Sequence, residues 1–198
     1  MDTIELQHIL DTSRILSPLN GIVCPKDYLP KRKPANVKAY IINTHDSDQP
    51  GEHWVAIFFK NNSAIYFDSY GLPPLDEHIL PFLQNNTREY TVNDIRLQDE
   101  RSAMCGVYCI FMLDVLARGF NLEDIILLKF DLQHFSKNDK LMGEWFQQNY
   151  RQRYIEAKTL PKDGLCQCCT GEVTRGPNDP IPLRYFELYL HLYPRIYY

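Results

Sequence analysis

No window of this chain reaches the roughly 20 consecutive apolar residues that a membrane-spanning helix needs. The opening Met1-Asp2-Thr3-Ile4-Glu5 also lacks the basic-then-apolar order of a secretory leader. Together these absences predict an intracellular protein without a membrane partner. Positive charge is scarce as well: 21 Lys and Arg against 25 Asp and Glu leave a net charge of −4. That balance argues against the broad basic face of a non-specific nucleic-acid binder, with Lys31-Arg32-Lys33 as a small local exception. The six cysteines make a poor disulfide framework, because half of them crowd into Cys166, Cys168 and Cys169. That cluster holds one C-x-x-C spacing but neither a second pair nor a histidine pair, so no structural zinc is expected and surface thiols are the default. No cofactor or metal is called for, and no repeat of fixed period occurs.

What the chain does contain is enough apolar residue, 44% of 198, to bury the core of one ordinary domain. The expected division is a domain over residues 1–160 and an appendage over 161–198. The appendage carries the cysteine cluster and a Tyr-rich end, and is expected to pack on the same domain. Ile4, Leu6, Ile9 and Leu10 recur at helical spacing, which predicts a helix over 2–12. From Leu19 to Pro34, Asn20-Gly21 and the prolines at 25, 30 and 34 predict an extended arm without regular structure. Three β-branched and aromatic runs follow, Val37–Asn43, His53–Phe59 and Ala64–Asp68, reading as central strands covered on both faces. A helix over Leu75–Leu83 and a weaker strand over Tyr90–Leu97 come next. The helix that starts near Cys105 is apolar almost all round, which marks it as buried and central. Helices over Asn121–Phe130 and Lys137–Tyr154 complete the pattern.

Four residues in the order His53, Asp68, Gln98, Cys105 carry chemistry. A thiol attacks only as thiolate, and free cysteine at a pKa of about 8.5 is mostly protonated at neutral pH. A helix N-terminus and an adjacent imidazolium both favour the negative sulfur. Cys105 is predicted at such a terminus, with His53 as the base that holds the thiol proton and later delivers it to a leaving amine. A hairpin turning at Lys60–Ser63 brings the start of one strand beside the end of the next. His53 and Asp68 therefore meet at one sheet edge, where the carboxylate fixes the ring's tautomer and orientation. Gln98 is read as a side-chain donor to a tetrahedral oxyanion, working with the Cys105 backbone N–H. Gly106 is expected to let substrate approach closely. Cys109, one turn beyond Cys105, reads as core filling, and His45, His78, His134 and His191 read as ordinary polar residues.

These residues resemble the adenovirus endopeptidase (adenain) type of cysteine protease, found in adenoviruses and in Polinton/Maverick or adintovirus-type elements, and related to the SUMO- and ubiquitin-like-protein proteases. The matching stretches are His53-Trp54, Tyr66-Phe67-Asp68-Ser69-Tyr70-Gly71, and Gln98 followed after six residues by Cys105-Gly106, with Asn43-Thr44 upstream. The resemblance spans about Leu19 to Ala117. It implies an α+β, papain-like fold, with a mixed, mostly antiparallel sheet and the nucleophile's helix in the core. It makes Cys105 the nucleophile, His53 the base, Asp68 its acid, Gln98 the oxyanion donor, and Trp54 a neighbour of the nucleophile and substrate.

By the same resemblance the protein is a monomeric endopeptidase acting on polypeptides, namely capsid precursors cut after small residues such as glycine, in a host nucleus or a virion, with the cytoplasm as the alternative site. Two departures stand out. Asp68 occupies a position where adenovirus proteases usually carry Glu and the SUMO-protease branch carries Asp. The adenovirus enzymes are activated by DNA and by a disulfide-forming peptide, whereas this chain is acidic and has no cysteine between Cys24 and Cys105, which argues against both activators. Two other readings stay open: an isopeptidase acting on ubiquitin or SUMO conjugates, and an inactive protease-fold binding module.

Overall fold

The apolar runs at 39–43 and 54–60 become adjacent strands because each can bury both of its faces. β2 (Ala39–Asn43) is buried throughout and β3 (Trp54–Lys60) at every position but Lys60. A computed structural model describes residues 1–151. Within them a five-stranded sheet has the order β1 (Ile22–Pro25), β2, β3, β4 (Ser63–Phe67), β5 (Glu89–Val92). The three central strands pair antiparallel, and both edge strands pair parallel to their neighbours. The fold is α+β, and the sheet is mixed.

Side chains alternate across the sheet. Tyr40 and Ile42, Val55, Ile57 and Phe59, Ala64 and Tyr66 form one buried cluster with Ile79, Phe82 and Leu83 of α2 (Ile79–Asn86). Tyr40 meets Phe82 edge to face at 4.9 Å. The other face is covered by α3 (Cys105–Ala117), in which every residue from Cys105 to Leu116 is buried, as the all-round apolar sequence requires. α1 (Thr3–Thr12) opens the chain on a capping box between Asp2 and Glu5. α4 (Leu122–Lys129) and α5 (Phe135–Phe146) follow α3, and a π-helical turn (Gln147–Arg151) continues α5. Among the described residues no helix is long and apolar enough to cross a membrane. The cysteine cluster and the Tyr-rich end lie outside the described residues.

Three expectations need correction. The proline-rich arm is not irregular throughout, since it contributes β1, with Pro25 paired to Asn43. Proline is tolerated there because an edge strand leaves one row of its N–H groups without ladder partners. The helix expected over Leu75–Leu83 starts only at Ile79, because the Asp76 carboxylate accepts from the N–H groups of His78 (2.8 Å) and Ile79 (3.3 Å) and sets the first turn. The strand expected to run to Leu97 stops at Val92: the Asn93 N–H still bonds the Tyr66 carbonyl at 3.3 Å, but beyond it the Asn93 side chain takes over the contact with the Asp68 backbone. Its Oδ1 accepts from the Asp68 N–H and its Nδ2 donates to the Asp68 carbonyl, both at 2.8 Å.

Gly71 ends the β4 segment with φ +72°, its N–H bonded to the Asp68 carbonyl at 2.9 Å. A Cβ there would lie 2.8 Å from the Ile95 carbonyl carbon and 2.9 Å from the Arg96 nitrogen. Gly71→Ala is therefore expected to cost about 1–3 kcal/mol of stability, read as a lowered denaturant midpoint at unchanged slope.

Candidate functional site

The β3–β4 hairpin sets the first pair of site residues. Lys60 faces Ser63 across a two-residue turn in which Asn61 takes φ +56°, and Ala56 faces Phe67 at the other end. Continuing that register carries His53 and Asp68 past the ends of their strands on the same side of the molecule. His53 Nε2 lies 2.9 Å from Asp68 Oδ1. The same oxygen accepts from the Tyr70 N–H at 2.8 Å, so one carboxylate oxygen serves both the imidazole and its own turn. Asp68 is 3% exposed, and Asn93 clamps its backbone from the neighbouring strand.

Cys105 is the first residue of α3, and the preceding Met104 makes no side-chain cap, so the helix's first N–H groups stay free for the sulfur. The thiol and the His53 imidazole lie close enough for each to shift the other's protonation. With Nε2 committed to Asp68, Nδ1 is the ring nitrogen left for it. Burial by itself would raise the Cys105 pKa. The hydrogen bond with His53, the Trp54 N–H, the imidazolium charge and the Gly106 N–H outweigh burial and bring it below the ordinary thiol value. For His53 burial also opposes the charged form, yet the hydrogen bond to Asp68, the bond to Cys105 and the two negative charges raise its pKa to about 9. Both directions favour a thiolate–imidazolium pair.

Gln98 is buried completely and held at both ends. Its Oε1 accepts from Ser69 Oγ at 2.7 Å, and its Nε2 donates to the Ser102 carbonyl at 2.7 Å and to Tyr70 Oη at 3.3 Å. The Ser69 carbonyl in turn accepts the N–H groups of Leu97 and Gln98. An oxyanion in reach of this amide would have to replace the longer bond, the one to Tyr70. Gly106, expected to let substrate approach closely, does not itself line the groove. It is buried, and a Cβ there would face Leu6, Met1 and Trp54 at 3.4–3.5 Å, so its contribution to the site is the N–H that faces the sulfur. Trp54 is 8% exposed, donates its ring N–H to the Met1 carbonyl at 3.2 Å, and lines the groove above Cys105.

That groove, of about 1160 Å³, is bounded by the 43–54 loop, the 70–76 loop, residues 1–3 and the segment leading to Cys105. A smaller cavity of about 560 Å³ between β5 and the α3–α4 turn contains none of the four residues. Sequence reasoning missed Tyr70, whose ring stacks on His53 at 4.8 Å between centroids and restrains the imidazole plane. It also missed Asn93. Tyr70 falls two residues after the acid on a chain that reverses at Gly71, a spacing that signals a return toward the histidine. Asn93 carries no comparable signal, since its role depends on the parallel pairing of β4 with β5. Among the described residues no group of three or more His, Cys, Asp or Glu is placed to hold a metal ion.

No protein-family model and no curated protein sequence matches the chain. Solved structures that match include the crystal structure of the ASFV pS273R protease and that of its selenomethionine form. They share 20% and 21% identity with this chain over 52% of its length, each with a TM-score of 0.38. The match covers 40% and 42% of those chains, so this chain spans about two fifths of their length.

Cys24 is pushed up to about 12 by burial and the Asp27 charge, and Cys109 well above the ordinary thiol value by complete burial and the charges of Cys105 and Asp68. Iodoacetamide at pH 7 is therefore expected to alkylate Cys105 ahead of Cys24 and Cys109, as mapped by peptide mass. His53→Ala should slow labelling of Cys105 about tenfold for each unit its pKa rises.

Proposed function

We propose that the protein is a cysteine endopeptidase of the adenain type, in which Cys105 is the nucleophile, His53 the base and acid, Asp68 the residue that orients His53, and Gln98 an oxyanion donor. The observation that supports this reading best is the His53 imidazole bonded to Asp68 on the wall of a groove that Cys105, at a helix N-terminus, also lines, with the imidazole and thiol shifting each other's protonation. The Cys105 thiolate attacks the scissile carbonyl carbon, and the carbonyl π electrons pass to its oxygen. The Cys105 N–H and the Gln98 amide receive that oxyanion, a donation whose loss typically costs about 10²–10³ in rate. As the tetrahedral species collapses, the imidazolium gives its proton to the leaving amine. The thioester that remains is hydrolysed by a water deprotonated by His53.

The substrates proposed are structural-protein precursors of a virus or virus-like DNA element, cut after small residues. This follows from the resemblance carried by His53-Trp54, Asp68 and the Gln98-to-Cys105 register. Purified reduced protein is expected to cleave peptides containing paired small residues, and Cys105→Ala to abolish turnover while leaving the fold intact by circular dichroism. Turnover by Cys105→Ala equal to that of the wild type would overturn the reading. A Cys105 adduct with ubiquitin or SUMO vinyl sulfone would move the substrate to the isopeptidase branch.

The pH dependence follows from the shifts. Activity rises with pH as Cys105 ionises, below the ordinary thiol range, and falls as His53 loses its proton near 9. Asp68→Asn removes the charge that holds the His53 proton, so the alkaline limb of kcat/KM is expected to move to lower pH. An unmoved limb would show that Asp68 does not tune the imidazole.

A further inference from the structure

The groove carries an electrostatic character that the four residues above do not explain. Besides the buried Asp68, five carboxylates line it, Asp2, Asp46, Glu52, Asp76 and Glu100, and no lysine or arginine does. They come from four separate stretches of chain, so the sign belongs to the groove and not to one turn. Their counter-ions are few and lie outside the lining. Lys26 serves two of them, Asp76 at 2.9 Å and Asp46 at 3.9 Å. Arg96 reaches Glu100 only at 3.8 Å while stacking over Phe135 at 4.6 Å. Glu52 has His45 at 2.9 Å. The Glu52 and Glu100 side chains remain 71% and 69% exposed.

The same groove has an apolar lip. After Gly71 the chain runs Leu72-Pro73-Pro74-Leu75, with Leu72 57% and Leu75 77% exposed. The two prolines and a bond from the Leu75 N–H to the Pro73 carbonyl at 2.9 Å hold this lip in shape, so covering it costs little chain entropy.

We infer that the groove selects extended polypeptide segments that carry lysine or arginine beside the scissile bond together with an apolar side chain that packs on Leu72 and Leu75. This rests on the proteolytic reading and names its substrate class. Lysine and arginine suit the rim because each can lay its aliphatic stem along the apolar lip while its charge meets the exposed carboxylates. An acidic segment would bring like charges into a groove lined by five carboxylates and no lysine or arginine, and such juxtapositions are strongly disfavoured.

Two measurements separate this inference from the reading beneath it. In the first, Cys105→Ala protein is titrated with fluorescent peptides that share one small-residue core and differ only in lysine, serine or glutamate flanks. The lysine series is expected to bind about tenfold tighter than the glutamate series at low salt. The gap should close toward parity at 1 M NaCl, where the screening length is about 3 Å. The double substitution Glu52→Gln, Glu100→Gln should narrow it, and Leu75→Ser should weaken only peptides with an apolar residue. Equal binding of all series, or a gap indifferent to salt and to both carboxylates, would overturn the inference. In the second, wild-type protein cleaves the same series, and kcat/KM is expected to follow the binding order. Lysine-selective binding without any cleavage would support the groove assignment and count against the proteolytic reading.

Discussion

The bond between His53 and Asp68 is the constraint on which the rest of the site depends, because both groups are taken out of water and neither is affordable there alone. Removing one partner of such a pair leaves a buried charge, typically a loss of about 3–5 kcal/mol. The bond exists only in one strand register. Slipping β3 against β4 by a single residue would turn every side chain to the opposite face, exchanging the cluster beneath α2 with the residues beneath α3. Hydrophobic burial of Val55, Ile57 and Phe59 against Tyr66 and Ile79 thus fixes the register, and the register fixes the distance of 2.9 Å. The polar pair is positioned by forces that act on its apolar neighbours.

The stretch that leads to Cys105 is tied to the same strand end. Ser69 sits between Asp68 and Tyr70; its carbonyl accepts from Leu97 and Gln98, and its hydroxyl bonds the Gln98 side chain. The Leu97 carbonyl is held from the far side by Tyr108 of α3 and Asn138 of α5. Tyr108 also reaches Asp139, which receives the Asp99 N–H. The Asp68–Tyr70 turn, Gln98 and α3 are therefore one hydrogen-bonded unit. A buried network of this kind is costly when any member is lost, because each group left behind is unsatisfied in a low dielectric.

How much of this could be read from sequence follows from the range of each cause. The hairpin was legible because a short polar turn between two apolar runs fixes which residues lie opposite, so the meeting of His53 with Asp68 followed from counting. α3 was legible because twelve buried positions in a row leave no other place for the helix than the core. Local rules failed where a distant partner decides. β1 is four residues long and proline-ended, and forms only because β2 offers it an edge. The stop of β5 depends on Asn93 finding the Asp68 backbone, and the role of Gly106 depends on α1 lying over it. Gln98 was picked out by its spacing to Cys105, but its three partners, Ser69, Ser102 and Tyr70, could not be read from that spacing.

Near and far electrostatics are kept apart in this arrangement. The groups that set the Cys105 thiol are its own burial, His53 and the N–H groups of Trp54 and Gly106, all within contact range. The rim carboxylates are not among these largest influences, although negative charge beside a thiol raises its pKa. Glu52 and Glu100 are mostly solvated, and water screens them before their field reaches the buried sulfur. On the substrate class inferred above, a peptide in the groove would be in a different position, since it would pass directly beside those carboxylates. The exposed rim charges and the buried groups around the Cys105 sulfur are thus separated by solvent.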